Sequence, residues 1–492
     1  MSELTRRDFL QSAAAASLAP GLQGAPGDRP NVLLIMSDQH RWDAMGAYGN
    51  PVIRTPNFDK LAAGGARFTE CWSQHPVCMP SRASIFTGRY PSVHGVRTNG
   101  VPLPRTEVTM AQAFLEAGYR TGGAGKFHFI PHYPYRSPLP AMETHPDPYY
   151  GFQEFHLGED GRSGEHWMWI KENHPEYDKK PDHEIPVELH NSYWSASHTI
   201  NFIRDCATRK DPFFAFCSFV DPHHSYNPPS PYREMYREED MPRPIRKTGE
   251  HEGKLPYVQR NLERFAPLLE RVPYNRTQYY GEVSFIDDSI GRIMEALDRN
   301  GVTDNTIVLF IADHGDLIGD HDMYYKGLQH YRGCANLPFL VSFPGRVKPG
   351  QVINGYAQEI DVFPTLAELA GIPRTPGVQG RSQAPVLTGE SIDTGYSSIL
   401  IEHAISGETS PSANLADSSS PDVYTLRTRG WRMSYYPGLR TGELYNLEDD
   451  PGEFANCWAD PKLEAVRHEL KDELLDRVLQ SRDPLPPREN RY

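Results

Sequence analysis

No stretch of this chain approaches the roughly 18–20 consecutive apolar residues of a membrane span, and the mean hydropathy is −0.59. No membrane span is expected. An excess of basic residues is also missing, since the formal net charge is −14. That balance argues against general nucleic-acid binding or anionic-membrane binding and leaves room only for a local basic pocket. Cysteines are few and scattered: Cys71, Cys78, Cys206, Cys217, Cys334 and Cys457 contain no CxxC pair and no zinc spacing. They form no disulfide framework in a chain of 492 residues, and Cys217 in "FFAFCSFV" reads as a buried apolar residue. No internal repeat is visible. Apolar residues make up 38%, enough for a sizeable core under a very polar surface. The length suits one large domain with an appendage, or two to three average domains.

The N-terminal stretch "TRRDFLQSAAAASLA" has the twin arginine Arg6-Arg7 ahead of Phe9-Leu10 and a weakly apolar alanine run. It resembles the receptor-read twin-arginine export signal of bacteria. Residues 1–29 are therefore read as signal and linker, with the twin-arginine translocase as a partner and a periplasmic or secreted destination. From residue 30, short apolar runs alternate with helical patterns. "NVLLIMS" (31–37), "FFAFCSFV" (213–220), "TIVLFIA" (306–312) and "FLVSF" (339–343) read as strands. "TPNFDKLAAGGARF", "VTMAQAFLEAGY" and 279–301 read as helices, the first with a Thr cap, Pro at its start and glycines at its end. Strands apolar throughout and alternating with helices predict an α/β fold: a large, mostly parallel sheet sandwiched by helices. After about residue 390 come "SSILIEH", "VYTLRT", "WRMSYY" and "ELYNL", then a charged helix over 461–481. We expect a catalytic domain over 30–390 and an α+β subdomain over 391–492, a small antiparallel sheet with one helix. Residues 131–190 and 222–275 read as long irregular stretches, and 405–421 as a flexible polar loop.

In doubly wound sheets, ligands bind outside the carboxyl ends of the strands. The first strand ends in Asp38-Gln39, the 213–220 strand in "DPHH", and the 306–312 strand in Asp313-His314-Gly315-Asp316. One Asp after a strand is more often a helix cap. Three such ends offer carboxylate, amide oxygen and imidazole together, a plausible set for a chiefly oxygen-coordinated divalent cation. In "HPVCMPSRASIFTG", Pro80 and Ser81 suit a first helical turn. That places Cys78 at a helix N-terminus, where the dipole and Arg82 favour an anion. A cysteine-dependent phosphatase needs its arginine six positions after the cysteine; here the gap is four.

"CMPSR" followed by "ASIFTGRYPSVHG" resembles the signature of type I sulfatases, of the alkaline phosphatase superfamily. "RPNVLLIMSDQHRWDAMGAYGN", "GKFHF", "DPHHSYNPP", "ADHGDLIGDHDMYYKG", "DVFPTLAELAGI" and "ELYNLEDDPGE" are similar to later pieces of that family, in order, from about residue 30 to 455. The resemblance implies that Cys78 is oxidised to formylglycine by a formylglycine-generating enzyme. Its hydrate would attack the sulfur of a sulfate ester, the alcohol would leave, and loss of the second hydroxyl's proton would expel sulfate and restore the aldehyde. It implies that Asp38, Gln39, Asp313 and His314, with position 78, hold one metal. Calcium is the first choice, with manganese or magnesium as alternatives, because His314 is an unusual calcium ligand. Lys126 and Lys326 would bind sulfate oxygens, Arg82 would help the metal hold the attacking hydroxyl, and His128 would act near position 78, as a candidate base. His223 would protonate the leaving oxygen, with Lys326 as a second donor, and Asn99 and His224 would contact substrate. Lys126 and His128, two apart in an expected strand, should share a face.

This sequence departs from the family where many relatives carry two aspartates and it has Asp38-Gln39, and again at Arg332 and Asn336, where Glu and Arg are frequent. Three functions follow as alternatives: an exported sulfatase acting on a sulfate monoester such as a sulfated sugar, a phosphonate monoester or phosphate diester hydrolase, and a catalytically silent binding protein. Trp167, Trp169, Tyr149 and Tyr150 could stack on a sugar ring or pack the long loops down.

Overall fold

The computed structural model describes residues 29–131, 148–160, 162–403 and 422–485. The twin-arginine segment and the 405–421 stretch lie outside the described residues. Eight strands form the main sheet: β1 (Asn31–Ser37), β2 (Ala66–Trp72), β3 (Arg120–Gly125), β4 (Glu154–Leu157), β5 (Phe213–Phe219), β6 (Thr306–Ala312), β7 (Asn336–Ser342) and β8 (Gln351–Gln358). Their order is β4-β3-β5-β1-β6-β7-β2-β8. β7 runs antiparallel to both neighbours, and every other adjacent pair is parallel.

The apolar strands are buried on both faces. Val32, Leu34 and Met36 of β1 join one core with Phe214 and Phe216, while Leu33 and Ile35 join the opposite core with Ala215 and Cys217. Helices cover each face: α1 (Pro56–Ala63), α2 (Cys78–Thr87), α3 (Met110–Glu116), α4 (Gly164–Asn173), α5 (Asn191–Arg209), α6 (Pro256–Leu269), α7 (Val272–Arg299) and α8 (Val362–Leu369). α2, α3 and α8 pack on the first core, and α1, α5 and α7 on the second. A second sheet, β12-β11-β10-β9, is antiparallel throughout: β9 (Ser398–His403), β10 (Val423–Thr428), β11 (Trp431–Tyr436) and β12 (Thr441–Asn446). Leu470 and Leu474 of α9 (Glu464–Gln480) pack on its Leu400, Leu426, Met433 and Leu444. The architecture is therefore the α/β fold expected from the alternating pattern, with the small antiparallel sheet and helix at the C-terminal end.

Several expectations need correction. "ARFTECW" is the interior strand β2, paired on both sides, not the tail of a helix. The stretches read as irregular contain β4, α4 and α6. The helix expected from 279 starts at Val272 with a proline in its first turn. Thr55 makes no side-chain cap on α1; its hydroxyl accepts the Gly46 N–H at 2.8 Å instead. β3 stops at Gly125, and His128 has a left-handed backbone (φ 52°). The shared strand face expected for Lys126 and His128 therefore does not exist.

Candidate active site

The ladder runs one residue past each central strand. Asp38 N–H donates to Phe219 O (3.2 Å), Asp313 N–H to Ser37 O (3.4 Å) and Lys126 N–H to Ser218 O (3.0 Å). Asp38, Asp313 and Lys126 are thus set side by side at the carboxyl edge, where the topology puts β3, β5, β1 and β6 next to one another. Gly125 makes this edge possible: its φ is +102°, and a Cβ there would meet Ser218 O at 1.7 Å.

The α2 N-terminus points into the same edge. Cys78 is buried, and its Sγ lies 2.9 Å from Lys326 Nζ, 3.3 Å from His314 Nε2 and 3.8 Å from Asp38 Oδ1. Burial and the Asp38 charge push the thiol's pKa up, but Lys126, Lys326 and His314 outweigh them and leave it below its ordinary value. Arg82, one turn along α2, is fully buried and ties the edge together. Its Nε bonds Asp313 Oδ2 at 2.8 Å, one terminal nitrogen reaches Asp38 Oδ2 at 3.2 Å, and the other donates to Lys126 O at 2.5 Å and Ser218 Oγ at 2.9 Å. Burial alone would discharge Asp38, yet Lys126, His223, Lys326 and Arg82 hold its carboxyl well below the usual range. Lys126 Nζ sits 2.6 Å from both Asp38 Oδ2 and Asp160 Oδ2.

Asp38, Cys78, Asp313 and His314 each turn a ligand atom into one space, all within 4.8 Å of one another. His314 Nδ1 lies 2.9 Å from Gly315 O, and a carbonyl only accepts. In the neutral ring the proton therefore sits on Nδ1 and the Nε2 lone pair faces the cluster, the usual arrangement of a metal-binding imidazole. Gln39 has φ 63°; its Nε2 donates to Asp316 Oδ2 at 2.5 Å, and its Oε1 accepts from Lys326 Nζ at 3.1 Å. The amide oxygen thereby shares Lys326 Nζ with Cys78 Sγ, next to that cluster. Two carboxylates, one amide oxygen and one imidazole nitrogen suit a divalent cation of the hard-to-borderline type.

The remaining expected residues divide. His223 Nδ1 lies 2.8 Å from His224 O, so its proton is on Nδ1 and Nε2 is an acceptor in the neutral ring. Burial and the lysine charges hold the His223 pKa well below its ordinary value. The His224 ring stacks on His223 at 4.1 Å and lies tilted against Tyr325 at 4.0 Å, and its Nδ1 meets the Gln39 amide. Asn99 Oδ1 accepts the Met79 N–H at 3.0 Å, so it caps α2 one residue after Cys78. Glu159 Oε1 accepts the N–H of Phe127 and of His128, both at 3.0 Å, which fixes the turn after β3. Arg332 pairs with Glu70 (2.7 Å) and Asn336 donates to Thr69 O (3.2 Å), both serving β2. Tyr149 packs in the core against Phe127 and Phe155, while Trp167 lies under the Arg162 guanidinium at 4.4 Å.

Sequence reasoning passed over Asp160, Glu159, Ser218 and Glu359. Burial pushes the Glu359 carboxyl up to about 8. The Ser81 hydroxyl lies 2.7 Å from Glu359 Oε2 and 2.6 Å from Asp313 O, the two acceptors its donor serves, which pins α2 to the end of β6. "GED" in a loop gives no periodic signal for Glu159 and Asp160. Asp316, though visible in "ADHGD", lacked an evident task; it orients Gln39 and accepts the Tyr226 hydroxyl at 2.5 Å.

A basic, metal-competent pocket at the carboxyl edge of such a sheet defines an alkaline phosphatase-like hydrolase. The Sulfatase family model matches residues 30–372, and the model described as N-sulphoglucosamine sulphohydrolase, C-terminal, matches 319–480. The chain belongs to the sulfatase family and is a sulfuric ester hydrolase. It is similar to an arylsulfatase of Clostridium perfringens, 30% identical over 87% of this chain and 90% of that protein. An N-acetylglucosamine-6-O-sulfatase of Bacteroides thetaiotaomicron is 24% identical, over 93% of this chain and 88% of that one. Among solved structures, a phosphonate monoester hydrolase of Silicibacter pomeroyi has a TM-score of 0.81 at 25% identity, covering 92% of this chain and 96% of the other. Among the described residues no helix is long and apolar enough to cross a membrane.

Proposed function

We propose that this protein is an exported sulfatase that hydrolyses a sulfate monoester, such as one on a sugar, with formylglycine made from Cys78 and a divalent metal, calcium first. The observation that carries the proposal is the set around Cys78 Sγ: Lys326 at 2.9 Å, His314 at 3.3 Å and Asp38 at 3.8 Å, at a helix N-terminus braced by Arg82. The Sγ atom stands where the hydrated aldehyde's oxygens would lie. That hydrate supplies one hydroxyl as nucleophile and a second whose deprotonation releases sulfate. A cation held by Asp38, Gln39, Asp313, His314 and residue 78 would supply Lewis-acid polarisation.

The chain's own residues do the rest. Lys126 and Lys326 balance the anionic sulfate oxygens, and the α2 N-terminus adds its dipole. His223 is neutral with Nε2 unprotonated, so it takes up a proton before it can deliver one to the leaving oxygen. Lys326 is the second candidate donor. His128 remains a candidate base, on a turn fixed by Glu159. Residues 30–390 form the catalytic unit in this reading and 391–492 the subdomain. Export rests on Arg6-Arg7, and the formylglycine-generating enzyme and the twin-arginine translocase are the implied partners.

Peptide mapping tests the proposal. The active protein should carry an aldehyde in place of the Cys78 thiol, and Cys78→Ala should fold yet lose at least about a thousandfold in kcat. A fully active preparation with Cys78 as free thiol would contradict it. A second reading, phosphonate monoester hydrolysis, is favoured by the Silicibacter likeness and by the neutral Gln39 beside Asp38.

A further inference from the structure

His223 and His224 also line a cavity of about 500 Å³, so it opens directly from the candidate catalytic group. Its walls carry the carboxylates of Glu159, Asp160, Asp182, Asp221 and Glu282 against a single guanidinium, Arg162. Three of these acids are engaged. Asp160 sits on Lys126 (2.6 Å), Asp182 on Arg162 (2.9 Å), and Glu159 accepts two backbone N–H groups. Asp221 and Glu282 have no lysine or arginine partner among the described residues. Asp221 accepts the Ser192 hydroxyl and lies 3.6 Å from His190 Nδ1. Glu282, near the middle of α7, is 2% exposed. Its Oε1 accepts the Asn227 N–H at 2.5 Å, but its Oε2 is buried with no hydrogen-bond partner.

A buried carboxylate oxygen without a donor is costly, and a second carboxylate nearby makes it more so. Burial first, then the Asp221 charge, push the Glu282 carboxyl well above its ordinary range. His190 Nδ1, 3.6 Å from Asp221, is the imidazole placed to offset part of the Asp221 charge, and it makes no ion pair with Glu282 among the described residues. An N–H-bearing cation would give the orphan oxygen a donor and favour the ionised form of the Glu282 carboxyl that burial and Asp221 disfavour. A further sulfate or carboxylate on the substrate would meet repulsion.

We propose that the Glu282–Asp221 end of this cavity receives a protonated amine, so that the substrate is the sulfate ester of an amino alcohol, an amino sugar with a free amine included. The proposal rests on the sulfatase reading for turnover but not for binding. Three esters with similar leaving groups test it at pH 7, the first two isosteric: 4-(2-aminoethyl)phenyl sulfate, 4-propylphenyl sulfate and 3-(4-sulfooxyphenyl)propanoate. The wild type should prefer the ammonium ester over the propyl ester by at least about tenfold in kcat/KM, with the carboxylate ester slowest. Glu282→Gln should bring the ammonium-to-propyl ratio to about one, and Asp221→Asn should move it in the same direction. An equal or reversed order in the wild type overturns the proposal, whether or not the variants fold. If no ester turns over, the sulfatase reading fails and calorimetry decides the cavity. Tyramine binding more tightly than 4-propylphenol supports the amine site, and equal affinity overturns it.

Discussion

Cys78 and Gln39 show what single residues contribute. The thiol alone, at a helix N-terminus, could be an inert buried cysteine. Its distances to Lys326, His314 and Asp38 make it the centre of the site. Position 39 carries a neutral amide, so among Asp38, Gln39, Asp313 and His314 the two aspartates supply the only formal negative charge. Asp313 also accepts Arg82 Nε and the Gln39 and His314 N–H groups. Asp313→Ala should therefore abolish metal binding, while Gln39→Ala, which removes a neutral oxygen, should weaken it by about ten- to a hundredfold. Elemental analysis of the purified variants checks this; equal metal content in wild type and Asp313→Ala would refute the site. Asp38, Gln39, Asp313 and His314 were legible because each follows an apolar strand. Asp160 was not, because its relation to Lys126 exists only once β3 and the loop after β4 are folded together.

At the level of elements, strand ends create the chemistry. β1, β5 and β6 could be read directly, since strands buried on both faces are unbroken apolar runs. β3, "RTGGAG", and β2, "ARFTECW", gave no such run and were placed only by their pairing with β5 and with β7 and β8. Gly125 ends β3 with a backbone that L-residues rarely adopt, under Ser218 O. Gly125→Ala should cost on the order of 3 kcal/mol and misplace Lys126, read as a lower urea midpoint together with lost turnover. An unchanged midpoint would show that the close approach is not a constraint. The helix at α7 began earlier than expected because its first two turns carry little apolar pattern, and its Pro273 suits a helix start.

The whole molecule is acidic, with a net charge of −14, yet it gathers Arg82, Lys126 and Lys326 around one thiol. That contrast marks the sheet edge as an anion site in an otherwise acidic molecule. Metal binding to the folded state alone should stabilise it by about 2.7 kcal/mol at a hundredfold excess over Kd. Chelation should accordingly lower Tm, with recovery on adding calcium back; an unchanged Tm would argue against a resident cation. Exchanging Arg6 and Arg7 for lysine should retain the protein in the cytoplasm with lysate activity intact, and normal export would count against the signal.

The sulfatase and phosphonate readings differ in the room around the reacting centre. A sulfate monoester presents three non-bridging oxygens that all take donors, whereas a phosphonate monoester replaces one with an organic group and leaves a donor unpaired. An unpaired buried donor costs roughly 1–3 kcal/mol, more when charged, which corresponds to about tenfold to a hundredfold in rate. The decisive measurement is the ratio of kcat/KM for 4-nitrophenyl sulfate to that for 4-nitrophenyl phenylphosphonate, on protein whose position 78 has been mapped as aldehyde. A ratio of at least about ten in favour of the sulfate, narrowed by Lys126→Ala, is the expected result; a preference for the phosphonate would contradict the assignment.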